Sequence, residues 1–174
     1  AIKAGAQRLA AELGLALITP DTSPRETGIE GATGDWEFGE GAGFYLDACT
    51  APFATRFRMY SYIVEELPAL VADAFDADLS RSGITGHSMG GHGALVTALR
   101  RPDRYRSVSA FSPIVAPSQV PWGEKAFAAY LGDGAGPRAD AWPAYDACAL
   151  LASRRFPGPL LAAPGDADKF LGEQ

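Results

Sequence analysis

Ser82-Gly83-Ile84-Thr85-Gly86-His87-Ser88-Met89-Gly90-Gly91-His92-Gly93-Ala94-Leu95 decides the fold. Ser82 to Thr85 reads as a short buried strand and Met89 to Arg100 as a helix. Between them Gly86-His87-Ser88-Met89-Gly90 fits G-x-S-x-G, the pattern of a serine on a sharp, strained strand-to-helix turn. The turn forces the serine backbone into an unfavourable conformation, and side chains two residues to either side are expected to collide with strand and helix. In a chain with 20 glycines the pattern arises by chance on the order of 0.1 times, so the context decides. Here the context agrees, because Gly91, Gly93, Ala94 and Leu95 open a helix able to approach a sheet closely.

Outward from this turn, strand and helix patterns alternate. Ile2, Ala6, Leu9 and Leu13 recur at helical spacing and stop at Gly14. The apolar run Leu15-Ala16-Leu17-Ile18-Thr19 reads as a strand buried on both faces. Residues 22–57, rich in Gly, Pro, Asp and aromatics without period, read as a long ordered loop. Tyr60 to Phe75 predicts a helix that Pro68 must kink or restart. Ser107 to Phe111 and Pro159 to Ala163 predict two further strands, and Lys125 to Leu131 a short helix. The sum is one α/β domain over residues 1–174 with a mainly parallel sheet and a cap-like insertion at about 113–157.

Composition excludes several functions. A net charge of −6 leaves no basic excess for a phosphate backbone, so neither nucleic acid nor an anionic membrane is an expected partner. The longest apolar runs have strand length, too short to cross a bilayer. Cys49 and Cys148 match no metal-ligand spacing and read as buried reduced thiols, consistent with a cytoplasmic location.

The chemistry centres on Ser88. Its Oγ is the expected nucleophile toward an acyl carbonyl, and the Met89 backbone N–H, at a helix N-terminus, an oxyanion donor. The α/β-hydrolase chain order is serine, acid, histidine. Asp166 and Asp168, just after the last strand, compete evenly as the acid. No histidine follows either one. His87 sits inside the turn with its side chain directed away from the hydroxyl, and His92, one turn along the helix, reads as a packing or structural hydrogen-bonding residue. A serine hydroxyl without a base is a poor nucleophile.

The sequence resembles the S-formylglutathione hydrolases, also called esterase D, nearly end to end. The carriers are Pro20-Asp21-Thr22-Ser23-Pro24-Arg25, the run Gly39 to Ala48, Arg58-Met59-Tyr60-Ser61-Tyr62 with Glu65-Glu66-Leu67-Pro68, Gly86 to Leu95, Ser107 to Phe111, Pro121-Trp122-Gly123 and Tyr130-Leu131-Gly132. The resemblance implies an α/β-hydrolase fold, a mostly parallel sheet with flanking helices. It also implies hydrolysis of S-formylglutathione to glutathione and formate in formaldehyde detoxification, without cofactor or metal. The family's Gly-x-x-Asp-x-Phe-Leu setting falls on Gly165 to Leu171 and selects Asp168 over Asp166. The same likeness places the N-terminal strands, the second oxyanion donor and the catalytic histidine outside these 174 residues, so that the fold here is incomplete. A homodimer is compatible with it.

The alternatives are a general short-chain carboxylesterase, an inactive fragment or pseudo-enzyme, and a non-catalytic binding protein. Trp36, Phe44 and Trp122 are candidate walls of the acyl pocket, with buried packing an equal reading of each. The strand expected before the first helix would lie between 15–19 and 82–85, and its absence leaves unpaired backbone and apolar surface. A polypeptide of these 174 residues alone is therefore expected to fold poorly and to be inactive. Circular dichroism and a nitrophenyl acetate assay check this, and cooperative unfolding with Ser88-dependent turnover would contradict it.

Overall fold

In the computed structural model, residues 4–134, 140–167 and 170 are described. Three parallel strands, β1 (Gly83–His87), β2 (Ser107–Phe111) and β3 (Leu160–Ala163), form a sheet in the order β1-β2-β3. Gly83 pairs with Ser107 and His87 with Phe111, while Val108 pairs with Leu160 and Phe111 with Ala163. The helices are α1 (Ala6–Glu12), α2 (Met59–Ser61), α3 (Leu67–Ala74), α4 (Met89–Arg100), α5 (Pro121–Leu131) and α6 (Ala147–Leu151).

The helix α4 is the centre of the packing. Every residue from Gly91 to Leu99 is buried, and α4 packs on β1, β2 and α6. Val108 and Ala110 of β2 are buried on one face of the sheet, whereas Phe111 and Leu161 on the other face are exposed, as is Leu160 on β3. At its far end α4 is held by Arg100, whose guanidinium carbon lies 3.9 Å from the Tyr60 ring centre and 4.3 Å from that of Tyr145.

The run Leu15 to Thr19 is not a strand, which corrects the sequence expectation. A strand exists through the ladder bonds of a neighbour, and no neighbour pairs with this segment among the described residues. Leu15, Leu17 and Ile18 stay exposed, and the outer edge of β1 is likewise unpaired among the described residues. The helix before it ends as expected at Gly14. With φ 67° there, Gly14 N–H donates to Ala11 O and Leu15 N–H to Ala10 O, a Schellman closure.

Pro68 lies in the first turn of α3, the restart that the sequence reading allowed. The chain passes from α2 to α3 through a π-type turn, Tyr62–Glu66. Proline has no N–H to give the carbonyl four residues earlier, Val64 O, and the Arg104 guanidinium donates to that oxygen instead at 2.9 Å. The two thiols also differ from expectation: both Cys49 and Cys148 are free and exposed.

Residues 22–57 form the long loop expected, and its aromatics fill the core beside α5. Phe57 stacks on Tyr130 with ring centres 5.3 Å apart, Phe53 packs edgewise on both, and Phe38 lies tilted against Tyr130. The buried Tyr130 hydroxyl accepts from Gly39 N–H at 2.8 Å and donates to Ala42 O at 3.0 Å, fixing the loop's tight turn. Gly39 there has φ 79°, and a Cβ would lie 2.2 Å from Ala32 O. In the full-length protein Tyr130→Phe strands both loop groups and should cost about 1–3 kcal/mol, read from the denaturant midpoint.

Candidate active site

The strand β1 delivers Ser88 to the N-terminus of α4 with φ 55° and ψ −119°. For a residue with a Cβ this backbone costs about 1–3 kcal/mol, so the surroundings must hold it. Ser88 N–H donates to Phe111 O at 2.9 Å, at the end of the neighbouring strand. Ser88 O accepts from His92 N–H at 3.0 Å and from Ile114 N–H at 3.4 Å. The serine is thus tied to β2, to the loop after β2 and to its own helix.

The glycines around it do unequal work. A Cβ on Gly86 would fall 2.1 Å from Gly90 O, a backbone collision that nothing can relieve. On Gly90, by contrast, a Cβ would meet nothing within 4 Å, so the expected symmetry of the two flanking glycines fails. Closer contacts come further along the helix. A Cβ on Gly91 would reach 3.0 Å from Pro113, and one on Gly93 would press to 2.4 Å from the Tyr45 ring. The loop at residues 43–46 therefore lies directly on the first turns of α4.

That loop is itself strained, with Phe44 at φ 51° and Tyr45 at φ 49°. It is braced from behind by residues 20–25. Gly43 N–H donates to Thr22 O and Gly41 N–H to Ser23 Oγ, while Asp21 takes Thr22 N–H and both a 3.0 Å and a 2.8 Å bond from Arg25. The Arg25 guanidinium beside it pulls the Asp21 carboxyl down to about 2. From the front, His92 Nε2 lies 3.0 Å from Phe44 O. A carbonyl oxygen carries no proton, so the ring nitrogen donates and His92 is the Nε2–H tautomer.

His92 is fully buried, packed on Phe44 and Phe127. Burial lowers its pKa to about 4, against the opposing pull of the Phe44 carbonyl and of Asp146. It is neutral at neutral pH, and its Nε2 proton is committed to Phe44. His87 lies at the exposed end of β1, paired with Phe111. Neither histidine bonds Ser88 Oγ among the described residues. The Met89 N–H, first in α4, has no acceptor in a preceding helical turn and is available to an oxyanion.

The remaining candidates are placed as follows. Asp166 is exposed in the turn after β3, and Asp168 lies outside the described residues. Phe44 is buried, and Trp122 packs on it with ring centres 6.2 Å apart. Trp36 is 78% exposed, on a loop whose Asp35 pairs with Lys125. The link from His92 to Phe44 spans 48 positions of sequence, and no local pattern announces it. Among the described residues no group of three or more His, Cys, Asp or Glu could hold a metal, and no helix is long and apolar enough to cross a membrane.

Comparison with known proteins adds the following. The Esterase family model matches residues 1–171. The chain is 52% identical over 169 residues to the S-formylglutathione hydrolase of Paracoccus denitrificans (strain Pd 1222), covering 97% of this chain and 59% of that protein. It superposes on an S-formylglutathione hydrolase structure from Agrobacterium tumefaciens with a TM-score of 0.88 and 51% identity, over 96% of this chain and 59% of the other. The Staphylococcus aureus fluorophosphonate-binding serine hydrolase FphF matches with a TM-score of 0.56 at 22% identity over 75% of this chain and 51% of its own, a likeness of fold alone. The chain therefore spans about three fifths of the length of the hydrolases it most resembles among these.

The buried neutral histidine has a measurable consequence. Below pH 6.5 the unfolded chain takes up a proton at His92 that the folded chain refuses until about pH 4. Stability should fall as pH drops through that window, by up to about 1.4 kcal/mol per pH unit. In the full-length protein His92→Gln should flatten this dependence relative to wild type. Parallel melting-temperature curves between pH 7 and 4.5 would contradict the assignment.

Proposed function

Because the chain belongs to the Esterase family, we propose that its protein hydrolyses S-formylglutathione to glutathione and formate through an acyl-enzyme on Ser88. The observation that carries this reading is the strained Ser88 backbone at the mouth of α4, held by three main-chain hydrogen bonds. A turn so costly to maintain is explained by the exposure of Oγ beside a helix N-terminus that it provides. The thioester substrate is supported by the names of the relatives at 52% and 51% identity.

In this reading Ser88 Oγ attacks the formyl carbon, its proton passes to a base, and Met89 N–H donates to the developing oxyanion. The C–S bond breaks, and the base returns the proton to the glutathione sulfur. Water, deprotonated by the same base, then attacks the formyl ester, releasing formate and restoring the Ser88 hydroxyl. We assign the base to a histidine that follows Asp168 in the family's chain order, with Asp168 orienting it. His92 is unsuited to the task because its ring is fully buried and, among the described residues, no hydrogen bond joins it to Ser88 Oγ. Phe44 and Trp122 form the back of the acyl pocket and the exposed Trp36 its rim. Two free cysteines, Cys49 and Cys148, support a reducing cytoplasmic setting, and formaldehyde detoxification is the process served.

Ser88 and its oxyanion donor would serve an oxygen ester equally well, which keeps a short-chain carboxylesterase as the second reading. In the full-length protein Ser88→Ala should lower kcat/KM by at least about a thousandfold. Wild-type kcat/KM should be higher for S-formylglutathione than for nitrophenyl acetate. The reverse order would favour the carboxylesterase.

A further inference from the structure

Among the described residues, five other than glycine have positive φ, and three of them meet at residues 92 and 93. Ser88 is bonded to the His92 backbone, Phe44 to the His92 ring, and Tyr45 follows Phe44 and lies against Gly93. His92 thus gives its main-chain N–H to Ser88 O at 3.0 Å and its Nε2–H to Phe44 O at 3.0 Å. The ring is fully buried and touches Phe44 and Phe127, so it has no room to turn away from that carbonyl. The other end of the strained loop is anchored independently, by Thr22 O and Ser23 Oγ.

We infer that His92 is a positioning residue: it clasps the loop at residues 43–46 to the first turn of α4 and so fixes the backbone from which Ser88 projects. The inference rests on the reading of Ser88 as nucleophile and adds a residue that touches neither substrate nor hydroxyl. Main-chain bonds tie Ser88 to β2, to the loop after it and to the first turn of α4. The ring bond couples that turn to a loop braced from behind, and a nucleophile displaced by about an ångström loses one to two orders of magnitude in rate. Replacing the imidazole by an apolar group also strands Phe44 O in the core.

The test uses the full-length enzyme with nitrophenyl acetate, and thermal unfolding confirms the folded fraction of each variant. His92→Leu removes the donor at similar volume and should lower kcat roughly ten- to a hundredfold with KM within about twofold. His92→Gln places an amide N–H near the former Nε2 and should restore most of kcat. Gly93→Ala presses on Tyr45 with His92 intact and should lower kcat in the same sense, which decides the matter should the Leu variant not fold. Wild-type kcat in folded His92→Leu, or in Gly93→Ala, would overturn the inference, as would a Gln variant no better than Leu. Ser88→Ala runs alongside: its retention of activity would overturn the nucleophile reading, whereas an inactive Ser88→Ala with a fully active Leu variant would overturn the role of His92 alone.

Discussion

Everything in this structure answers to the backbone of one residue. Ser88 sits at φ 55° between a parallel strand and a helix, and that conformation persists only because the neighbours over-determine it. Phe111 O holds its N–H, and His92 and Ile114 hold its carbonyl. Each of these partners requires a larger piece of fold. Phe111 is placed by the register of β2 against β1 and β3, Ile114 by the loop leaving β2, and His92 by the buried face of α4. The sheet and its central helix are the scaffold on which one turn is kept strained.

The second layer of support comes from the irregular loop at residues 22–57. It lacks regular secondary structure apart from one short 3-10 turn, Phe53–Thr55, and two isolated bridges. It packs as tightly as a core element nonetheless, because its aromatics stack with Tyr130 and Phe127 of α5 and its sharp turns are bonded to side chains. Aromatic packing fixes where the loop lies, and hydrogen bonds fix its turns. The outcome is a rigid surface laid against the first turns of α4, with glycine at position 93 admitting Tyr45 and histidine at 92 holding Phe44.

Much of this was legible in the sequence wherever the cause is local. The Ser88 turn, α4 from Met89 to Arg100, β2 from Ser107 to Phe111 and the stop at Gly14 follow from spacing and from glycine's conformational range. The run at residues 15–19 misled because its composition is that of a strand, while strandedness depends on a partner that pairing alone can supply. The collision expected at Gly90 was equally invisible, since two glycines alike in the pattern meet different surroundings. Pro68 announced a disturbed helix but not the π-type turn, whose stability depends on Arg104 reaching Val64 O from 40 positions away. At the site, Ser88 and Met89 could be named from the motif, but the partner of His92 could not, because its bond to Phe44 closes only when a long loop has folded.

The central claim is that this turn presents a reactive hydroxyl. The direct measurement is mass spectrometry of the full-length enzyme after reaction with a fluorophosphonate, which phosphonylates an activated serine and remains attached. One adduct per chain, confined on peptide mapping to Ser88 and absent after denaturation before treatment, is the result the account predicts. An adduct on another residue, or an unmodified Ser88 in enzyme that the reagent has inactivated, would contradict it.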